Sequence, residues 1–293
     1  MNIIRADILG FCAGVRRAVN AATKALDENE GNGTVYTLGP LIHNPVALKE
    51  LADRKLKVLV PSAIHTLTSD DTVLIRAHGV PPQMEEDLHK TGAAVINATC
   101  PLVTKSQERA AEFARNGYTI VFAGDKNHGE VVGIEGHAEA AAKASGIECS
   151  FILVRTADEA RNLFSDSVPQ KVVLLSQTTF SIKAFEEIGT VLKEKIPHIE
   201  IYSTICPATH ERQDALVRLC AEVDGVIVIG GKNSSNTNRL YTTAEKLCAH
   251  VALIETADEI PAEFYALKKV GLTAGASTPD SVIDAVENKL RLH

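Results

Sequence analysis

The chain has 293 residues, 45% hydrophobic and 23% charged, with a formal net charge of −7. That length accommodates two domains or three small ones in an ordinary globular balance, and the acidic charge excludes a general nucleic-acid binder. No apolar run approaches the roughly 20 residues that span a bilayer, so no membrane partner is expected.

The N-terminal stretch MNIIRADILGFCAG lacks the basic and small-residue pattern of a signal peptide and the Arg/Ser-rich pattern of a transit segment, so a cytoplasmic location is expected. Six cysteines are too sparse for a disulfide scaffold, and a reducing compartment favours metal or redox use. Tryptophan is absent and aromatics make up only 4%, which leaves Val, Ile, Leu and Ala to build the core.

In chain order, short β-branched runs alternate with amphipathic stretches. Strands are predicted at 34–38, 57–60, 72–77, 93–100, 118–124, 151–154, 171–177, 199–206, 225–231, 251–255 and 270–276. Helices are predicted over Ala13–Glu28, Leu102–Asn116, Ile182–Lys195, Ala208–Glu222, Asn236–Ala249 and Pro279–Leu292. Continuous apolar strands separated by helices indicate an α/β fold with parallel sheets covered on both faces. The last helix has a hydroxyl N-cap in the run Ser277-Thr278-Pro279-Asp280, with proline in the first helical position.

Three cysteines stand where a strand runs into a helix: Cys12 in GFCAGVRRAV, Cys100 in NATCPLV and Cys206 in STICPATHERQ. Helix N–H groups near a sulfur favour the thiolate, the form that binds metal. Positions 12, 100 and 206 are too far apart for a zinc ribbon or a bacterial ferredoxin pattern. Three such thiolates converge only if distant units meet at one point, a geometry that suits a cubane cluster with one open iron. A weak repeat of strand, Thr-(Ile)-Cys-Pro and helix divides the chain into three similar α/β units. The expected bounds are 1–98 with Cys12, His43 and His78, 99–198 with Cys100, His128, Glu130 and Thr178, and 199–293 with Cys206, Ser234, Asn236 and Ser277. Cys149, Cys220 and Cys248 read as packing residues, one at a loop edge and two on helix faces.

His43, His78 and His128 recur at strand ends beside Gly, Pro or Asn, the place where ligands gather in open α/β folds. A lone loop histidine is usually structural; three in one setting make a shared site an even alternative. The run GGKNSSNTNRL, with Ser234, Ser235 and Asn236, offers hydroxyl and amide donors at a helix start that suits an anion. It is not a Walker A loop, and a capped turn is its plainer reading. GLTAGASTPD places Ser277 in the same way, and two such loops point to a phosphate-bearing ligand. Glu130 follows His128 at a helix start, where glutamates usually only complement the dipole; beside a buried anion it becomes a candidate proton donor. Gln177-Thr178-Thr179 closes the strand KVVLLSQ, and a threonine hydroxyl there could relay that proton.

Together GFCAGVRRAV, LGPLIHNP, RAHGV, ATCPLV, HGEVVGIEGH, QTTFS, TICPATHERQ, GGKNSSNT and TAGASTPD resemble the 4-hydroxy-3-methylbut-2-enyl diphosphate reductase family, in order from Cys12 to Asp280. The resemblance implies three α/β units in pseudo-threefold arrangement around one [4Fe-4S] cluster per chain, held by Cys12, Cys100 and Cys206. It implies an oxidoreductase of the non-mevalonate route that converts (E)-4-hydroxy-3-methylbut-2-enyl diphosphate to isopentenyl and dimethylallyl diphosphate plus water. Two protons and two electrons are consumed, the electrons from a ferredoxin- or flavodoxin-type donor. It further implies that His43, His78, His128, Thr178, Ser234, Ser235, Asn236 and Ser277 hold substrate, with Glu130, Thr178 and His128 catalytic. The match departs at Gly129, where members commonly carry proline before the glutamate. A three-cysteine [4Fe-4S] lyase of the quinolinate-synthase type is the alternative enzyme, and a zinc- or cluster-binding sensor the non-enzymatic one.

Overall fold

A computed structural model describes residues 1–29, 33–165 and 167–292. The chain begins with β1 (Asn2–Arg5) and α1 (Ala13–Asp27), followed by β2 (Val35–Leu38), α2 (Pro45–Asp53), β3 (Lys57–Leu59), β4 (Thr72–Ile75), α3 (Pro82–Lys90) and β5 (Ala94–Asn97). Its middle contains α4 (Pro101–Arg115), β6 (Thr119–Ala123), α5 (Gly129–Ala144), β7 (Ser150–Val154), α6 (Ala157–Arg161), β8 (Val172–Ser176), α7 (Ile182–Lys195) and β9 (Glu200–Ile201). It closes with α8 (Pro207–Cys220), β10 (Gly225–Ile229), α9 (Ser235–Ala244), β11 (His250–Ile254), β12 (Lys269–Ala274) and α10 (Asp280–Arg291).

The strands form three 4-stranded sheets, in the orders β1-β12-β10-β11, β3-β2-β4-β5 and β7-β6-β8-β9. The α/β class and the three similar units expected from the sequence are therefore present. Where register is defined, the pairs are parallel, as β6 with β8 and β10 with β12. Two compact units contain these sheets. The first joins Met1–Glu30, Pro40–Lys57 and Pro207–His293; the second joins Gly31–Gly39 and Val58–Cys206.

In the first unit, alternate residues of β10 face opposite sides of the sheet, as the period of two requires. Ile227 and Ile229 pack with Phe264, Ile283 and Val286 on one side. Val226 and Val228 pack with Leu216, Leu219 and Leu240 on the other. The second unit repeats this in β6: Val121 and Ala123 face Ile188 and Leu192 of α7, while Ile120 and Phe122 face Ala110 of α4 and Ile134 of α5. In its other sheet, Val73 and Ile75 of β4 pack against Leu88 of α3. Continuous apolar strands are thus strands covered twice.

Several expected elements change. Asn2–Arg5 is a strand, and its register runs from Asn2 opposite Lys269 to Arg5 opposite Leu272, so the first strand joins the sheet of the last third. Within 199–206 only Glu200–Ile201 is strand, although the chain continues alongside β8 through Tyr202 N–H to Leu174 O. Helix α9 ends at Ala244, five residues before its expected end, which puts Cys248 beyond the helix and not on a helix face. Pro279 takes the N-cap position of α10 without a side-chain cap. The hydroxyls expected to cap instead bond elsewhere, Ser277 Oγ to His43 O and Thr278 Oγ1 to Ile229 O.

Helices α2, α3, α5 and α6 were not legible as amphipathic runs. Helix α2 has Asn44 as N-cap, its Oδ1 accepting from Ala47 N–H at 3.0 Å, and proline in its first turn, a start signal that the sequence does contain. Helix α5 is disguised by its glycines. A Cβ on Gly136 would lie 2.6 Å from Pro81 Cβ, so close packing within the second unit requires the bare backbone there.

Candidate active site

The three sheets place their cysteines alike. Strands β1, β5 and β9 are the edges of their sheets, and each is followed by a cysteine and then a helix. Beyond each edge strand the chain stays paired with the neighbouring strand's end. Cys12 N–H donates to Ala276 O at 3.0 Å, Cys100 N–H to Ala77 O at 3.0 Å and Cys206 N–H to Thr178 O at 2.8 Å. The carbonyls reached by Cys12 and Cys100 immediately precede Ser277 and His78, and the one reached by Cys206 belongs to Thr178 itself. The loops after β10, β2 and β6 are also equivalent, each following the strand next but one to the edge. They carry Ser234 to Asn236, His43, and His128 with Glu130. Sheet position alone therefore sorts the residues selected from sequence.

None of the six cysteines is in a disulfide. Cys12, Cys100 and Cys206 are each half-buried at a helix start, and Cys12 Sγ, as N-cap of α1, accepts from Val15 N–H at 3.4 Å. Two of the other three thiols are pushed up by their surroundings. Burial raises the Cys149 thiol. Burial, then a hydrogen bond with Cys248, pushes the Cys220 thiol up to about 12. Cys248 Sγ–H in turn donates to Cys220 O at 3.7 Å. The three thiols at helix starts, where N–H groups favour negative sulfur, are a donor set that fits an iron–sulfur group.

In the second unit, Glu130 occupies the first turn of α5 with only 1% of its surface exposed. Its carboxylate accepts from Thr178 N–H at 2.6 Å and from Thr178 Oγ1–H at 2.7 Å. This glutamate is buried and engaged, unlike the exposed helix-start glutamate that is the commoner case. His128 is the N-cap of α5, its Nδ1 accepting from Glu130 N–H at 3.2 Å, which directs its protonated tautomer to Nε2. The rings of His78 and His128 meet edge to face at 5.1 Å. Gln177, fully buried, fixes the segment: its Oε1 accepts from Asp125 N–H at 2.9 Å and its Nε2–H donates to Thr179 Oγ1 at 2.7 Å. Glu130, Thr178, His128 and His78 are therefore gathered by the ends of β4, β6 and β8, with Cys206 tied to Thr178 by backbone.

In the first unit, the loops after β10 and β12 meet the His43 segment. Ser277 Oγ–H donates to His43 O at 3.1 Å, and a Cβ on Gly231 would lie 2.4 Å from that same oxygen. Ser234 caps α9, accepting from Thr237 N–H at 3.4 Å. Asn236, in the first turn and 4% exposed, has no hydrogen-bond partner for its Nδ2. A buried amide left unmatched at a helix N-terminus costs stability unless an acceptor arrives, and an anion is the acceptor that this position favours. Arg212, 3% exposed on α8, donates to Gly10 O at 2.8 Å and so anchors the loop that leads to Cys12.

The sequence reading passed over Arg76. It follows β4 and lies against the backbones of Gly39 and Gly129, where added Cβ atoms would come within 2.9 Å of its Nη1 and 2.4 Å of its Nη2. The departure at Gly129 is thereby accounted for locally, because Arg76 fills the space of a side chain at the first position of α5. The signal available in sequence was the word RAHGV itself, which puts an arginine two residues before a candidate histidine.

The chain matches the family model described as LytB protein over residues 3–291. It is 43% identical to 4-hydroxy-3-methylbut-2-enyl diphosphate reductase of Treponema denticola, over 99% of both chains. It is 40% identical to the Aquifex aeolicus reductase of the same name, covering 99% of this chain and 96% of the relative. A solved structure of (E)-4-hydroxy-3-methyl-but-2-enyl diphosphate reductase, the terminal enzyme of the non-mevalonate pathway, superposes over 100% of both chains with a TM-score of 0.72 at 38% identity. The Plasmodium falciparum E-1-hydroxy-2-methyl-but-2-enyl-4-diphosphate reductase does so with a TM-score of 0.86 at 28% identity, over 98% of this chain and 87% of its own. The family match spans nearly the whole chain and takes in each of the cysteines, histidines and hydroxyl loops described above, so the chain belongs to the LytB protein family of reductases.

Proposed function

We propose that the chain reductively dehydroxylates (E)-4-hydroxy-3-methylbut-2-enyl diphosphate to isopentenyl and dimethylallyl diphosphate. Per turnover the reaction takes two electrons and two protons, breaks the allylic C–O bond and releases its oxygen as water. The observation that carries this reading is the Glu130–Thr178 pair, a buried carboxylate hydrogen-bonded to a hydroxyl beside Cys206. Cys12, Cys100 and Cys206 would hold a [4Fe-4S] cluster in a pseudo-threefold site, the units following the sequence divisions at 98 and 198. Such a cluster, when bound, supplies electrons one at a time and a Lewis-acidic iron for the substrate hydroxyl. The electrons come from a small ferredoxin- or flavodoxin-type protein. A cytoplasmic location belongs to the same reading, and no helix among the described residues is long and apolar enough to cross a membrane.

The chain's own residues bind, orient and supply protons. His43, His78, Ser234, Ser235, Asn236 and Ser277 offer N–H and O–H donors to the diphosphate, with the N-terminus of α9 adding its dipole. His128 presents Nε2–H to the substrate while Nδ1 stays on α5. Glu130, when protonated, passes its proton to Thr178 Oγ1, whose own proton moves to the departing oxygen. A hydroxyl suits this role because it donates and accepts at once. Burial keeps bulk water from that pair and so keeps the proton transfer directed.

The test uses protein purified without oxygen. Iron and sulfide analysis should return about four irons per chain, and a reduced dye should be oxidised when the hydroxymethylbutenyl diphosphate is added. A cluster that draws no electrons for that substrate would favour a lyase; zinc in place of iron would overturn the reading. Changing Cys149, Cys220 or Cys248 singly to Ala should leave iron content unchanged, since these thiols are packing groups. Iron loss in any one of them sinks the ligand assignment.

A further inference from the structure

Residues 6–12, between β1 and α1, form neither helix nor strand, so the place of Cys12 depends on a few hydrogen bonds within the first unit. Gly10 N–H donates to Ala274 O at 3.4 Å and Cys12 N–H to Ala276 O at 3.0 Å, which ties the segment to the end of β12. Gly10 takes a left-handed backbone with φ 76°, and a Cβ there would lie 3.1 Å from both Asp280 Oδ1 and Ile283 Cδ1. Its carbonyl is met from α8, where Arg212 Nη2–H donates to it at 2.8 Å. The same guanidinium donates through Nη1–H to Ala208 O at 2.7 Å, in the first turn of α8.

Arg212 is only 3% exposed, and taking a cation out of water is costly. What the guanidinium provides in return is a rigid planar fork, which spans two carbonyls at fixed angles as a flexible ammonium does not. One carbonyl belongs to its own helix and the other lies two residues before Cys12, so the fork fixes the distance between α8 and the Cys12 segment. A second link between the same two segments serves as the contrast. Arg218 of α8 meets Asp7 at 3.1 Å, but both side chains are exposed, and an exposed pair contributes little. The buried link is the one that can hold the segment still.

We infer that Arg212 is a positioning residue for Cys12: it holds the Gly10 carbonyl to the first turn of α8 and so keeps the Cys12 thiol in place to ligate iron. This rests on the ligand role proposed above for Cys12 and extends it to the residue that acts through that thiol. The link needs Gly10 as well, because only the left-handed backbone presents this carbonyl to the guanidinium while the flanking N–H groups stay on β12.

The experiment follows iron release to bipyridine from cluster-loaded protein kept free of oxygen, alongside the melting midpoint of each variant. Arg212→Met should release iron about tenfold faster or more, the scale of a lost charge-assisted bond. Arg212→Lys, which keeps the charge and can reach one of the two carbonyls, should recover part of the retention. Gly10→Ala should also hasten release with Arg212 unaltered, and the two changes together should fall short of the sum of their separate effects. Arg218→Met, which removes only the exposed link, should leave the rate unchanged. Leu240→Ala opens a cavity in the core of the same unit and reports what lost stability does alone. If it lowers the melting midpoint as far as Arg212→Met and releases iron as fast, Arg212 is a structural residue and the inference fails. A wild-type release rate in Arg212→Met overturns it too, and the same rate in Gly10→Ala does so where Arg212→Met yields no folded protein. An unaltered protein that takes up no iron is a different failure, which removes the ligand role of Cys12 and the inference with it.

Discussion

Glu130→Gln should cut turnover by about 10²–10⁴-fold, the usual contribution of a positioned general acid, while iron content and substrate affinity stay near their original values. The substitution is nearly isosteric. Its Oε1 can still accept from Thr178 N–H, which reaches the carboxylate at 2.6 Å. Its Nε2 can donate to Thr178 Oγ1, at the place where that hydroxyl now donates across 2.7 Å. Geometry is therefore kept and only the transferable proton is lost. Folding should not suffer, since replacing a buried carboxylate by a neutral amide lowers the desolvation cost of a group only 1% exposed. The measurement is steady-state dye oxidation alongside single-turnover product formation. Turnover within a few-fold of the original would remove Glu130 from proton delivery and leave it a positioning group for Thr178. A loss of affinity with turnover intact would assign it to binding instead.

Why these residues could be found in the sequence, and others not, follows from how locally each is specified. The buried strand Gly225–Ile229 is apolar because both faces are covered, so its run and the loop after it are visible from composition alone. Cys100 and Cys206 share a proline at the next position, and that proline starts their helices. Such features lie within ten residues of one another. The pairing of Asn2–Arg5 with Lys269–Leu272 joins the two ends of the chain, and no local pattern specifies it. It explains why the N-terminal cysteine matched the other two only loosely: its edge strand precedes, in sequence, the strands beside which it lies. Glu130 was legible as a candidate, but its burial was not, because helix α5 is packed through glycines that weaken its amphipathic pattern. Arg76 was the least legible, since a lone arginine at a strand end is ordinary. Its contact with Gly39 and Gly129 joins separate segments, which only three-dimensional packing reveals.

Cys12→Ser and Cys100→Ser should each reduce cluster iron from about four per chain toward zero and abolish substrate-dependent electron uptake, with the helices intact. Serine is the informative replacement because these cysteines also stand at helix N-caps. Cys12 Sγ accepts from Val15 N–H, and a serine oxygen is a stronger acceptor in that position, so α1 should be capped at least as well. Cys100 makes no side-chain cap, and Pro101 already sets the first turn of α4. Iron loss in these variants thus reports on ligation and not on a melted helix, a distinction that alanine at Cys12 would blur. Iron and sulfide analysis with the visible absorption of the cluster reads the first quantity; far-UV circular dichroism and the melting midpoint read the second. Full iron retention in either variant would strike that thiol from the ligand set. Retention in both, combined with iron loss in Cys248→Ala, would move the cluster to another part of the first unit. The expected pattern is loss at each edge-strand cysteine and retention at Cys149, Cys220 and Cys248, because only the former stand at helix N-termini.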